Sequence, residues 1–188
     1  MAKQCITDRA LRRQKELEDS LLILLQSKDY AQITVTDICR QANIPRRTFY
    51  HYFSSKDEIM DSIAEDLMLS CNLSSMFDFA SGVEAVQESY LRFFRFWLEN
   101  RAVLELLIEQ KLESQLILYT NKWIQTGEVL LPFPDNMNPD LLQLGKSVAS
   151  SGFFALLFHW CRTGFRETPE EMAGYVTWFM TNPLFQSK

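Results

Sequence analysis

The fold class this 188-residue sequence predicts is all-α, with about nine helices. Three observations predict it. Apolar residues recur at spacings of three and four over most of the chain, the period of a helix with one buried face. Helix-capping sequences of the type Thr/Ser-x-x-Asp/Glu stand directly before several of those runs. Glycine and proline number only 6 each, too few for a chain built of tight turns between short strands.

Taken in order, residues 8–27 predict a first helix: Leu17, Leu21, Leu24 and Leu25 recur behind a charged front, DRALRRQKELED, and Lys28-Asp29-Tyr30 ends it. In ITVTDICRQA, Thr34 is the N-cap and Asp37 its capping-box partner, with Val35, Ile38 and Ala42 turned inward. Pro45 disfavours helical geometry at Ile44 and so closes this short second helix. A third begins at Pro45 or Arg46 and runs to about Phe53. Ser54 and Ser55, each followed at the third position by Asp57 or Glu58, open a fourth over 55–69. A longer helix, then two short ones joined by a short turn, is helix-turn-helix organisation.

After a linker over 70–82, residues 83–98, 101–110 and 111–126 predict three more helices. The stretch 127–139, GEVLLPFPDNMNP, breaks the pattern with three prolines. A long helix follows over 140–164. Thr168-Pro169-Glu170-Glu171 starts the last, combining an N-cap, a proline at the first helical position and a capping-box glutamate.

Composition narrows the function classes. Cys5, Cys39, Cys71 and Cys161 are scattered without a C-x-x-C pair, which disfavours a zinc site or disulfide framework and suggests free thiols in a reducing compartment. No secretory leader pattern opens the chain, and no apolar run approaches the length of a membrane span, so a cytoplasmic protein is expected. Neither metal nor cofactor is expected. His159 and Cys161 stand about 200° apart around their helix, too far for a nucleophile and its base, and no glycine-rich phosphate loop is present, so an enzyme is not expected. His159 reads as a structural histidine. The net charge of -5 hides an asymmetry: residues 1–60 carry 10 Lys and Arg against 8 Asp and Glu, whereas 61–188 carry 9 against 16. Contact with a polyanion belongs at the N-terminal end.

There lies IPRRTFYHYFSSKDE, residues 44–58. At about 100° per residue, Phe49 and Phe53 share one face of the third helix, while Arg47, Thr48, Tyr50 and His51 take the opposite arc and Arg46 and Tyr52 flank the phenylalanines. Two aromatic anchors beneath a cationic, hydrogen-bonding surface suit a helix entering a DNA major groove, where arginine pairs with guanine and other donors reach phosphates.

The run ITVTDICRQANIPRRTFYHYFSSKDEI resembles the N-terminal helix-turn-helix of the TetR family of transcriptional regulators, whose pattern is T-V-x-x-I-A-x-x-A-G-V-S-x-x-T-x-Y-x-H-F-x-S-K-x-x-L. Thr34, Val35, Ile38, Ala42, Thr48, Tyr50, Phe53, Ser55 and Lys56 match it, and the resemblance spans about residues 8–65. Asn43 replaces the usual turn glycine, a substitution asparagine tolerates because it accepts left-handed geometry. Tyr52 replaces the usual histidine. The resemblance implies a helix-turn-helix DNA-binding domain over 1–56 and a helical regulatory and dimerisation domain over 57–188. It implies phosphate contacts from Thr34, Thr36, Tyr50, Tyr52 and Lys56, with Arg46, Arg47, Thr48 and His51 closest to the bases of double-stranded DNA.

It further implies a homodimer on a palindromic operator, released by a small-molecule effector; the fourth helix, 55–69, is expected to carry the motion because it joins the two domains. A repressor is expected, with a co-activator working through a protein partner as the alternative. The dimer face is expected in the last two helices, from Ala149, Gly152, Phe153, Leu156, Trp160, Met172, Tyr175 and Phe179. The effector pocket is expected among Tyr90, Phe93, Phe94, Trp97, Tyr119 and Trp123, with Arg92, Arg95 and Arg101 available should the effector be an anion.

Overall fold

The computed structural model describes residues 8–71, 82–125 and 138–182, except for the side chains of 122–125, 146, 149, 150, 180 and 181. Within them lie nine α-helices and one 3-10 turn: α1 (Asp8–Leu25), the 3-10 turn (Tyr30–Gln32), α2 (Val35–Gln41), α3 (Arg46–Tyr52), α4 (Lys56–Ser70), α5 (Val83–Glu99), α6 (Arg101–Glu109), α7 (Glu113–Gln125), α8 (Pro139–Arg162) and α9 (Pro169–Thr181). The all-α expectation holds, and each predicted helix is present to within a few residues. The expected linker over 70–82 and the proline-rich break fall largely outside the described residues.

The chain divides into two compact units, residues 1–65 and 66–188. This boundary lies inside α4 rather than at 56/57. The reason is burial: Ile59, Met60, Ile63 and Ala64 are all core residues of the first unit. Ser62 also donates a 2.7 Å hydrogen bond to Glu18 of α1.

In the first unit, Leu17, Leu21 and Leu25 form a buried i, i+4, i+8 row on α1, joined by Ile33, Ile38, Ile44, Phe49 and Phe53. Each such side chain contributes about 1.5–3 kcal/mol of apolar burial. Glu18 departs from the charged front assigned to it: its side chain is 4% exposed and is reached by Lys15 at 3.4 Å as well as by Ser62. A buried carboxylate is tolerable only with such partners. The α2 start forms as expected, a reciprocal capping box between Thr34 and Asp37. Cys39, rather than Val35 or Ala42, accompanies Ile38 into the core. Asn43 takes φ 52°, the left-handed position the turn between α2 and α3 requires.

In the second unit, α5 packs along α9 and α7 along α8. The ion pair Arg95–Glu170 (2.7 Å) joins the first two, and Arg162–Glu113 (2.8 Å) the second. Its core is aromatic: Tyr90, Phe93, Phe94 and Trp97 of α5, with Phe153, Phe154, Phe158 and Trp160 of α8. Phe153 and Phe93 meet at 4.3 Å between ring centroids, Phe94 and Trp160 at 5.3 Å, both edge-on. Edge-to-face packing of this kind adds about 0.5–1.5 kcal/mol per pair beyond area burial. Thr168 and Glu171 close the capping box that starts α9, with Pro169 at its first position.

Candidate nucleic-acid interface

The surface of interest is built on α3, whose seven residues are too few to be stable alone. Burial holds it. Phe49 is 0% exposed and Phe53, just past the helix end, 4%. Around the rest of the helix Arg46, Arg47, Tyr50 and His51 are exposed, and Thr48 and Tyr52 half-buried. The division around the helix that the sequence predicts is therefore present.

The two arginines differ in their surroundings. Arg46 donates from Nη2 to the Tyr50 hydroxyl at 3.2 Å, and its guanidinium carbon lies 5.9 Å from the centre of that ring. The hydrogen bond to Tyr50, first, and Tyr50's electrostatic contribution push the Arg46 pKa up. Tyr50 is itself braced edge-on against buried Phe49, centroids 5.3 Å apart. Among the described residues Arg47 has no hydrogen-bond or ion-pair partner and keeps its five donors for a ligand. His51 stands edge-on to Tyr52 at 5.1 Å.

Lys56 is more committed than the sequence suggests. Its ammonium donates to the carbonyls of Tyr30 (2.6 Å) and Ile33 (3.0 Å) and lies 4.3 Å from the centre of the Tyr30 ring. It therefore caps the 3-10 turn, with one of three N–H donors left over. The Tyr30 hydroxyl donates to Asp57, and burial, then that bond, push the Tyr30 pKa well up. Asp57 is thereby drawn away from the Ser54 box expected of it. Glu58 takes over, accepting from Ser54 N (2.5 Å) and Ser54 Oγ (2.6 Å), while its own N–H donates to Ser55. Sequence reasoning missed this Tyr30–Lys56–Asp57 network because its partners are 26 and 27 residues apart.

At α2, Thr34 is exposed, but its hydroxyl is used within the capping box; Thr36 is exposed beside it. Lys28 donates to Asp37 at 2.8 Å, and that bond, followed by those from the Thr34 N–H and hydroxyl, holds the Asp37 carboxyl well below the usual carboxylate range.

The C-terminal expectations need correction. Of the residues assigned to a dimer face, Gly152, Leu156, Tyr175 and Phe179 are exposed, whereas Phe153, Trp160 and Met172 are buried within the unit. Trp160 also donates its indole N–H to Glu167 O at 2.9 Å. The Ala149 side chain lies outside the described residues. The exposed apolar stripe runs instead through Leu141 (55% exposed), Leu144 (60%), Val148 (65%) and Leu156 on α8, and Tyr175, Trp178 (54%) and Phe179 on α9. Its 3- and 4-residue spacing was the signal that could have found it. His159 is exposed, and with Leu156, Glu167, Met172, Tyr175, Val176 and Phe179 it lines a cavity of about 210 Å³.

Of the residues assigned to an effector pocket, Tyr90, Phe93, Phe94 and Trp97 are each 0% exposed within the aromatic core. Tyr119 is half-buried, and the Trp123 side chain lies outside the described residues. Arg95 is paired with Glu170, Arg92 with Ser89 and Glu88, and Arg101 is exposed, so these arginines do not converge on an anion site. Among the described residues the Tyr90 hydroxyl and Trp97 Nε1, two turns apart on α5, are buried without a hydrogen-bond partner, as are Thr120 Oγ1 and Glu113 Oε2 on α7. Each such group costs about 1–3 kcal/mol. Burial pushes the Tyr90 hydroxyl pKa up to about 12.

Among the described residues no group of His, Cys, Asp and Glu is arranged to hold a metal ion, and no helix is long and apolar enough to cross a membrane.

Comparison with known proteins places the helix-turn-helix. Residues 19–63 match the model of "Bacterial regulatory proteins, tetR family". The sequence is 36% identical over 61 residues to YxbF of Bacillus subtilis (strain 168), described as an uncharacterized HTH-type transcriptional regulator, covering 32% of this chain and 16% of that one. It is 42% identical over 53 residues to DhaS of Lactococcus lactis subsp. lactis, the HTH-type dhaKLM operon transcriptional activator, covering 28% of each. The match thus spans less than a third of either relative's length. Over the whole chain the fold is similar to the solved structure of the dihydroxyacetone kinase operon activator DhaS (TM-score 0.53, 22% identity, 94% of this chain and 99% of that one). It is likewise similar to a TetR transcriptional regulator from Streptococcus agalactiae 2603V (TM-score 0.58, 21% identity, 89% and 92%).

Proposed function

We propose, from an N-terminal helix-turn-helix matched over residues 19–63 by the model of the tetR family of bacterial regulatory proteins, a DNA-binding transcriptional regulator that reads a palindromic operator as a homodimer. The observation that carries this reading is α3, anchored by Phe49 and presenting Arg46, Arg47, Tyr50 and His51 to solvent in a chain whose net charge is otherwise negative. A helix of this kind enters the major groove, with Arg47, Thr48 and His51 directed at base edges. Thr34, Thr36, Tyr52 and the remaining Lys56 donor meet phosphates along its flanks.

A palindrome needs a two-fold partner. The exposed stripe on α8 and α9 supports one, since seven large apolar side chains in solvent are costly unless covered. An effector in the second unit is the regulatory half of the reading. Unpartnered Tyr90 Oη and Trp97 Nε1 support it, because a ligand bringing hydrogen-bonding groups to them favours the state that admits it. That state must also misplace the two reading heads, and α4, which continues from one unit into the other, is the element to transmit the change. A repressor released by effector is the simplest form. Activation is the second reading, favoured by the likeness to DhaS, which is described as an activator.

Selection from random duplexes by the full-length protein tests the reading. Enrichment of a palindrome supports it, and failure to enrich any sequence favours a protein that works through a partner.

A further inference from the structure

The stripes of α3 carry the operator reading one step further, to a division of labour between its two arginines. Taking Arg46 as the angular origin, Arg47 and His51 lie at about 100° and 140°, on either side of the direction opposite Phe49. They occupy the part of the helix that penetrates a groove most deeply. Arg46 and Tyr50 lie at about 0° and 40°, roughly 80–120° to one side, where a helix in a major groove faces a sugar-phosphate wall instead of base edges.

We infer that Arg46 and Tyr50 act as one unit that clamps a backbone phosphate, leaving Arg47 as the base-reading arginine, and that Tyr50 is the positioning residue for Arg46. The chain of contacts is continuous. Phe49 is immobilised in the core, Tyr50 stands edge-on against it at 5.3 Å, and Arg46 is held on the Tyr50 hydroxyl at 3.2 Å. A phenol that accepts from Arg46 still has its own O–H to donate, so the pair offers a phosphate that O–H together with the remaining guanidinium donors. Arg47 has no such tether among the described residues and is free to adopt the two-pronged geometry that guanine requires. Sequence reasoning grouped Arg46 with the base readers because spacing alone does not show that its head group is held by Tyr50.

This inference rests on the operator reading, and its test separates the two. Fluorescence anisotropy measures the full-length protein on its selected operator and on a scrambled duplex across a salt series. Arg46→Ala is expected to weaken both duplexes by the same factor and to lower the salt slope by about one. Tyr50→Phe keeps the ring but loses the hydroxyl, and is expected to weaken both by roughly fivefold. In the Tyr50→Phe background, Arg46→Ala should cost clearly less than in the parent. Arg47→Ala should instead erase most of the difference between the duplexes. The inference is overturned if Arg46→Ala costs the operator much more than the scrambled duplex, or if the Arg46 and Tyr50 losses simply multiply. If the parent selects no sequence at all, the operator reading itself fails.

Discussion

Asn43 sets the turn between α2 and α3, with φ at 52° where a side chain is disfavoured. Asn43→Gly should leave stability within about 0.5 kcal/mol of the parent. A β-branched residue there should cost about 1–2 kcal/mol, because its Cβ crowds the following carbonyl. Chemical denaturation of the two variants distinguishes them. Asp37 gives a pH signature. Its folded pKa is depressed, first by the bond from Lys28, so its contribution is present above the unfolded value of about 3.9 and fades as pH falls below it. Asp37→Ala should thus lower the melting temperature at pH 7, with the difference shrinking once pH drops below about 4. A difference constant across that range would show that the carboxylate is not the stabilising form. In the second unit Tyr90→Phe removes a buried hydroxyl that has no partner, and should raise stability by up to about 1 kcal/mol. An unchanged or lower unfolding midpoint would argue that the hydroxyl is satisfied in solution.

Among the elements, the starts of α2 and α9 were legible in the sequence to the residue, because a capping box is local: Thr34 with Asp37 and Thr168 with Glu171 need only three residues of chain. The faces of α3 were legible for a related reason, since two phenylalanines four apart leave only one apolar side. On α8 the same logic fails. Both Phe153-Phe154-Leu157 and Leu141-Leu144-Val148 are apolar stripes, and which one folds inward depends on α5 and α7, far away in sequence. Phe153 and Trp160 were accordingly assigned outward when they pack against Phe93 and Phe94. The same limit hid the 3-10 turn and its tie to Lys56. The outward stripe predicts that Leu144→Glu or Trp178→Glu shifts the protein from dimer to monomer in sedimentation at micromolar concentration while leaving its helical circular dichroism intact. A parent that already sediments as a monomer would remove the α8–α9 face from the account.

At the scale of the whole molecule, residues 1–65 carry 10 Lys and Arg against 10 Asp and Glu, whereas 66–188 carry 9 against 14. The cationic helix lies in residues 1–65, whose core is mostly aliphatic, and the acidic remainder has an aromatic core with unpartnered polar atoms. The proposed regulator needs this asymmetry: one unit to hold DNA, another to change its preferred state. Whether α3 reads sequence is measured most directly by paired selection from random duplexes with the parent and with Arg47→Ala. The parent should enrich a palindrome, and Arg47→Ala should lose the preference at one position in each half-site while retaining the rest. An identical enriched sequence from both proteins would contradict it.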